Sequence, residues 1–278
     1  MQEKRRRRLE RIAWELRGDI VAMVANAKSG HCGGPLGLAE VFSVLYFHSM
    51  RHDAKKPLWR ERDRLYLSNG HVCAVLYAAL ARSGYFPPEE LLSFRKLGSR
   101  LQGHPHRNER IGIETTAGML GQGLSVSVGA ALAARLDKSK RRVYCVASDG
   151  ECQEGSTWEA AMAASNYNLS NLTLLIDYNN VQISGHVSEV MRLEPFAAKW
   201  KAFGWNVLEA RGNDVESVAQ AIEKAKLEKS RPTAIICRTT LGKGVSFMED
   251  NPEWHGKPPD AEQARRALEE ISERLEKL

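Results

Sequence analysis

The sequence is poor in cysteine, and its cysteines form no pattern. The five, Cys32, Cys73, Cys145, Cys152 and Cys237, are odd in number and never stand as a C-x-x-C pair. That argues against a disulfide framework or a zinc site and fits a reducing compartment. No run of eighteen apolar residues occurs, and the charged amphipathic start lacks a separate apolar signal core. A soluble cytoplasmic protein without membrane contact is expected. Linkers, internal repeats and low-complexity stretches are also missing, so residues 1–278 read as a single domain. A general basic surface is lacking too. Of the net charge of +6, Lys4, Arg5, Arg6, Arg7, Arg8 and Arg11 less Glu3 and Glu10 supply +4, leaving the body near neutral. The stretch "KRRRRLER" therefore reads as a solvated first turn of a helix, and no nucleic-acid partner is expected.

What is present is an apolar fraction of 43%, enough for a sizeable core. Leu9, Ile12, Leu16, Ile20 and Met23 recur at three or four and predict a helix over residues 3–28. "GPLGLAEVFSVLYFHSM" reads as a second helix, "DRLYLS" as a short strand, and "GHVCAVLYAALARSG" as a helix closed by Gly84. "PPEELLSF" has prolines where a helix begins. Residues 95–118, dense in Gly, His and Arg, predict a long functional loop. Beyond Gly121, helix "GLSVSVGAALAARL" leads into strands "RVYCVAS", "NLTLLID", "WNVLEA" and "TAIICRT", which alternate with helices. Continuous apolar strands in that alternation predict an α/β fold with a doubly wound, mostly parallel sheet. An exposed charged helix is expected over about residues 260–276.

In such sheets ligands sit beyond the carboxyl ends of the strands. Asp149-Gly150 follows one strand and Asn179-Asn180 the next, 30 residues later, so the two loops can lie side by side. An Asp carboxylate, an Asn amide oxygen and a main-chain carbonyl are hard donors, suited to Mg²⁺ or Ca²⁺ rather than zinc or copper. Magnesium held so sparsely takes its other ligands from water and phosphates. Gly150 would let a phosphate approach, at a helix N-terminus that favours anions. Asp-Gly after a strand is also an ordinary turn or helix cap, and only the company it keeps decides. That company includes four of the eight histidines, His31, His71, His104 and His255, all in Gly-flanked loops. Imidazole both donates hydrogen bonds to anions and exchanges protons near neutral pH.

Six segments, "KSGHCGGPLG", "LSNGH", "GHPHRNERIGIETTAGMLGQG", "SDGECQEGSTWEA", "DYNNVQISG" and "TTLGKGVSFMEDNPEWHG", stand in the order found in transketolases, so nearly the whole chain resembles that family. The resemblance implies a thiamin diphosphate-binding fold and a metal, Mg²⁺ with Ca²⁺ or Mn²⁺ as substitutes, held by Asp149, Asn179 and the carbonyl of Val181. It implies diphosphate contacts from His71, Gly150 and His255, ring contacts from Gly118 and Leu120, and further cofactor contacts from Glu151, Asn179 and Ile183. It places His31 and His104 at the sugar donor and Glu154 at a subunit interface, and counts Glu154 with the four histidines as the catalytic set. Cys32 and Met119 depart from the family, which usually has proline after the histidine and serine or proline at the second position. Cys32 is expected to be a packed thiol rather than a nucleophile.

In the family, the glutamate that activates the cofactor lies in a second, pyrimidine-binding domain, which this sequence does not contain. The resemblance thus implies the N-terminal subunit of a split transketolase, working with a C-terminal partner as an α2β2 assembly. It would move a two-carbon ketol unit between sugar phosphates, as in pentose phosphate metabolism. The alternatives are an α-type subunit of a 2-oxoacid dehydrogenase, a transketolase for an unusual sugar, and a non-catalytic regulatory subunit of the same fold. A basic-tailed nucleic-acid binder rests on residues 4–11 alone.

Overall fold

The structure, a computed structural model, describes residues 1–278. Helix α1 (Glu3–Ala27) buries Leu9, Ala13, Leu16, Ile20 and Val24 along one stripe and ends at Lys28, which adopts the left-handed conformation with φ 51°. The expected second helix is broken into α2 (Gly33–Gly37), α3 (Ala39–Val44) and a π-helical turn over Leu45–Ser49. The break has a packing cause. A Cβ on Gly33 would lie 2.8 Å from Leu241, and one on Gly37 2.8 Å from the Thr240 carbonyl, so this segment seats its bare backbone against the 240–254 loop.

Strand β1 (Arg64–Leu67) leads through a short turn to α4 (Cys73–Arg82), and Gly84 takes the left-handed conformation after it (φ 87°). The proline-led segment is a single 3₁₀ stretch, Pro88–Ser93, rather than an α-helix. Residues 95–118 hold only the turn Glu109–Ile111 and one isolated bridge, Asn108 to Ile113, as a functional loop should.

The remainder follows the predicted alternation: α5 (Gln122–Leu136), β2 (Val143–Ser148), α6 (Gly155–Asn166) and β3 (Leu172–Tyr178). An unpredicted ribbon of β4 (Val181–Gln182) and β5 (Gly185–His186) comes next, then α7 (Val187–Val190), α8 (Phe196–Ala202) and β6 (Asn206–Arg211). Helix α9 (Val215–Leu227), β7 (Thr233–Arg238) and α10 (Ala261–Glu276) complete the chain.

The five long strands form one parallel sheet in the order β1-β2-β3-β7-β6. Its side chains alternate between two cores. Tyr144, Val146, Leu175 and Ile235 face α1, α3, α4 and α9, while Val143, Cys145, Leu174 and Ile236 face α5, α6 and α8. Each fully buried aliphatic side chain contributes about 1.5–3 kcal/mol, which explains why these strands read as unbroken apolar runs. The terminal helix is not simply exposed. Ala264, Ala267 and Ile271 recur at three or four, and that stripe is buried where α10 packs on α1. No helix is long and apolar enough to cross a membrane.

Candidate active site

β2 and β3 are neighbours in register, with Ser148 beside Asp177, so their carboxyl ends deliver the two predicted loops to one place. The contact is direct. Asp149 Oδ2 accepts the Asn180 N–H at 2.6 Å, Oδ1 accepts the Gly150 N–H at 2.7 Å, and Asp149 donates its own N–H to the Asp177 carbonyl at 3.1 Å. Asn180 reaches this position with φ 61°, a conformation Asn tolerates better than most residues.

Sequence reasoning missed Asp177. Its carboxylate accepts Asn179 Nδ2 at 2.8 Å and the Thr239 hydroxyl, which fixes the amide so that Asn179 Oδ1 points the other way, to the Val181 N–H at 2.8 Å. The available signal was an acid closing the apolar run "LTLLID", the same oddity that marked Asp149. Asp149 and Asp177 are 0% and 2% exposed, and neither forms an ion pair with Lys or Arg. Burial therefore pushes both carboxyls up to about 7, and for Asp177 the nearby Asp149 charge adds to the effect.

Two buried acids without a cation are an uncompensated charge, and that is the observation on which a divalent metal fits this junction. No cluster of three or more His, Cys, Asp or Glu has metal-holding geometry. The set at hand differs in kind: one carboxylate, one amide oxygen and one carbonyl, all oxygen donors that suit Mg²⁺ with places left open. Asp149, Asn179 and Val181 fit that role.

Above the junction lies a cavity of about 450 Å³ walled by all four predicted histidines together with Gly118, Leu120, Gly150, Glu151, Glu154, Val181 and Ile183. Asp149 and Asn179 are not in its wall, but their chain neighbours Gly150 and Val181 are. Gly150 leaves room there, since a Cβ would meet nothing nearer than Gln182 at 3.5 Å. The imidazoles form an array, with ring centres 5.2 Å apart for His31 and His71, 5.1 Å for His71 and His255, 5.7 Å for His31 and His255, and 6.3 Å for His31 and His104.

Burial is the main cause that lowers all four: His31 to about 4 and His71 to about 3, with His104 and His255 also below the ordinary value. Neighbouring imidazoles and Arg95 add to the shift of His31, and Arg95 to that of His104. At neutral pH the array is uncharged, so each ring offers one donor and one acceptor. The Nδ1 atoms of His31 and His255, two rings of the cavity wall, are buried without a hydrogen-bond partner, which leaves polar capacity unused at the site.

Glu151 lines this cavity and also has a structural part. At 1% exposure, its carboxylate accepts the Ser68 hydroxyl, the Gly121 N–H at 2.7 Å and the Ser148 N–H at 3.3 Å. It ties the ends of β1 and β2 to the start of α5. Glu154, by contrast, is exposed beside the cavity, as an interface residue would be. Ile183, 81% exposed, lines this cavity, whereas Met119, 79% exposed, lines a second one that shares Gly118 with it. Cys32 is fully buried, and burial pushes its thiol up to about 12, so it is packed and unreactive.

Comparison with known proteins bears on this arrangement. Residues 10–272 match the family model described as "Transketolase, thiamine diphosphate binding domain". The chain is 44% identical over 259 residues to an apulose-4-phosphate transketolase subunit of Phocaeicola vulgatus, covering 93% of this chain and 92% of that one. It is 42% identical over 242 residues to the 6-deoxy-6-sulfo-D-fructose transketolase subunit SqwG of a Clostridium species, covering 87% and 88%. The crystal structure of transketolase from Campylobacter jejuni superposes with a TM-score of 0.89 at 37% identity, over 95% of this chain but only 42% of that one.

Proposed function

The chain belongs to the transketolase family, and from that premise we propose that it is the cofactor-holding half of a two-chain transketolase acting on a specialised sugar phosphate. Two facts support the division of labour. The chain matches relatives named as subunits along nearly their whole length, and it matches the Campylobacter jejuni enzyme along about two-fifths. Residues 1–278 then form one thiamin diphosphate-binding domain, and the remaining domains come from a partner polypeptide, in an α2β2 assembly.

When bound, thiamin diphosphate supplies the nucleophilic carbon for attack on a ketose carbonyl. This chain does the rest of its share with its own groups. Asp149, Asn179 and the Val181 carbonyl would hold Mg²⁺, whose charge would offset that of the buried acids at this junction. Gly150, His71 and His255 would receive the diphosphate, for which neutral imidazoles could supply N–H donors. Gly118 and Leu120 bound the cofactor rings. His31, whose ring neighbours the other three, and His104 complete the array, where a neutral imidazole can take a proton from a sugar hydroxyl or give one to a carbonyl oxygen. Exposed Glu154 faces the partner.

The observation that carries this reading is the convergence of four neutral histidines over a buried two-acid junction at adjacent strand ends. Its test is reconstitution with the partner polypeptide. Ketol transfer should require both chains, Mg²⁺ and thiamin diphosphate. Full turnover by this chain alone, or by the pair without the cofactor, would contradict it.

A further inference from the structure

Arg95 lies behind the histidine array and belongs to none of the groups assigned above. It adopts the left-handed conformation, φ 59°, which is uncommon for a residue with a long side chain. Its Nη1 donates to Ser29 Oγ at 2.8 Å and its Nη2 to the Gly103 carbonyl at 3.3 Å, while its own N–H is held by the Leu101 carbonyl at 3.0 Å. Ser29 and Gly103 belong to the two loops that carry His31 and His104.

The fit is close. A Cβ on Gly103 would lie 2.6 Å from Arg95 Nε, and one on Gly30 3.1 Å from the Phe94 ring and 3.6 Å from Arg95 Nε. The two glycines that precede the site histidines thus make room for this one guanidinium and the ring beside it. Arg95 Nε is buried without a hydrogen-bond partner, and no carboxylate pairs with the guanidinium. An arginine in such a place, unlike the paired arginines of the helix surfaces, keeps its full charge at close quarters.

We propose that Arg95 is a positioning residue that locks the two substrate-facing histidine loops together and holds an uncompensated positive charge behind them. The lock fixes the separation of His31 and His104, whose rings stand 6.3 Å apart. The charge disfavours protonation of both rings, so they meet the substrate as neutral imidazoles. It also favours a substrate bearing an anionic group at that end of the cavity. The groups facing the two rings are His71, His255 and Arg95, with Glu151 and Glu154 across the cavity; Cys73 and Tyr77 of α4 face Arg95 from the other side. Both are neutral at working pH, because burial raises the thiol to about 12 and the phenol further.

This role in catalysis rests on the transketolase reading, but its test has an arm that does not. Titration of the ¹⁵N imidazole signals of the purified chain should show the midpoints of His31 and His104 rising by about half to one pH unit in Arg95→Met, and holding near the parent values in Arg95→Lys. With the partner present, Arg95→Lys should still lose roughly ten-fold or more in kcat, because ammonium cannot span Ser29 and Gly103. Affinity for Mg²⁺ and thiamin diphosphate should be unchanged. Histidines in Arg95→Met that titrate as in the parent, or parental kcat in Arg95→Lys, would overturn the proposal. Should Arg95→Met fail to fold, Arg95→Lys decides alone: held midpoints with reduced kcat support the role, and shifted midpoints or parental kcat refute it. If the parent pair itself shows no ketol transfer, the functional reading fails while the titration still judges the charge.

Discussion

The two ends of the charge distribution make an instructive contrast. At the solvated start of α1 and on the outer face of α10, several charged residues are answered within their own helix: Arg6 by Glu3 and Glu10, Arg7 by Glu3, and Arg265 by Glu262 and Glu269. They are largely solvated, and the pairs contribute little apiece. At the carboxyl ends of β2 and β3 the charges are few and buried, and they lack partners of opposite sign. Asp149 and Asp177 accept from backbone, amide and hydroxyl donors but pair with no cation; half-buried Arg95, in the loop that leads to His104, likewise has no carboxylate. A helix surface completes its own electrostatics, whereas the strand-end junction leaves part of its balance to something bound. The basic N-terminus, which drew notice as a motif, belongs to the first kind, and the inconspicuous strand-end acids belong to the second.

The sharpest way to break this contrast is Asp149→Ala. Removing the carboxylate should abolish Mg²⁺-thiamin diphosphate binding in calorimetry with the partner present, an effect larger than that of any supporting residue, while the far-UV spectrum stays native. Parental affinity would mean the junction holds no metal. Asp177→Asn comes next. It keeps the shape but disturbs the partner that orients Asn179, and affinity should fall roughly 10–100-fold, the range for outer partners of metal ligands.

A third effect is read in pH. His71 sits far below its ordinary value, so the unfolded chain takes up a proton there that the folded chain refuses. The stability His71 confers is present above about 6.5 and is lost as pH falls toward about 3. Asp149 and Asp177 run the opposite way in the metal-free chain: their contribution is complete below about 3.8 and lost as pH rises through about 7. Comparison of His71→Asn with the parent isolates the histidine. Between pH 6.5 and 4 the stability difference should change by about 1.4 kcal/mol per pH unit, measured by denaturant unfolding. Parallel curves would contradict the burial argument. The smallest effect should come from the helix surface. Asp260 and Gln263 form a reciprocal cap on α10, with Asp260 Oδ1 accepting the Gln263 N–H at 2.8 Å and Gln263 Oε1 accepting the Asp260 N–H at 3.0 Å. Asp260→Ala should cost about 1 kcal/mol in stability and leave cofactor affinity untouched.

The same contrast explains what was legible in the sequence. Periodicity found α1, α4, α5 and α9 and all five sheet strands, because burial on one stripe or on both faces writes a repeating apolar pattern. It did not find the break after α2, which depends on glycines meeting a loop some two hundred residues away in sequence, nor the ribbon β4–β5, which is too short to show a period. Asp149, Asn179 and the four histidines could be singled out by residue type and loop context; the structure sets the four histidines in the wall of one cavity and brings the Asp149 and Asn179-Asn180 loops into contact. Asp177 escaped notice although an acid closes its apolar run, Arg95 because nothing local marks it, and Glu151 was singled out only through the family resemblance. Their importance lies in what they reach: Asn179 and Thr239, Ser68 and Gly121, Ser29 and Gly103. A single sequence shows which residues can do chemistry more readily than which ones hold those in place.

The most direct test of the strand-end junction is magnetic. With Mn²⁺ in place of Mg²⁺ and the partner present, the ³¹P resonances of thiamin diphosphate should be strongly broadened by one ion per chain, and Asp149→Ala should remove the broadening. Manganese that still binds beside the diphosphate with Asp149 gone would show that the ion is held elsewhere.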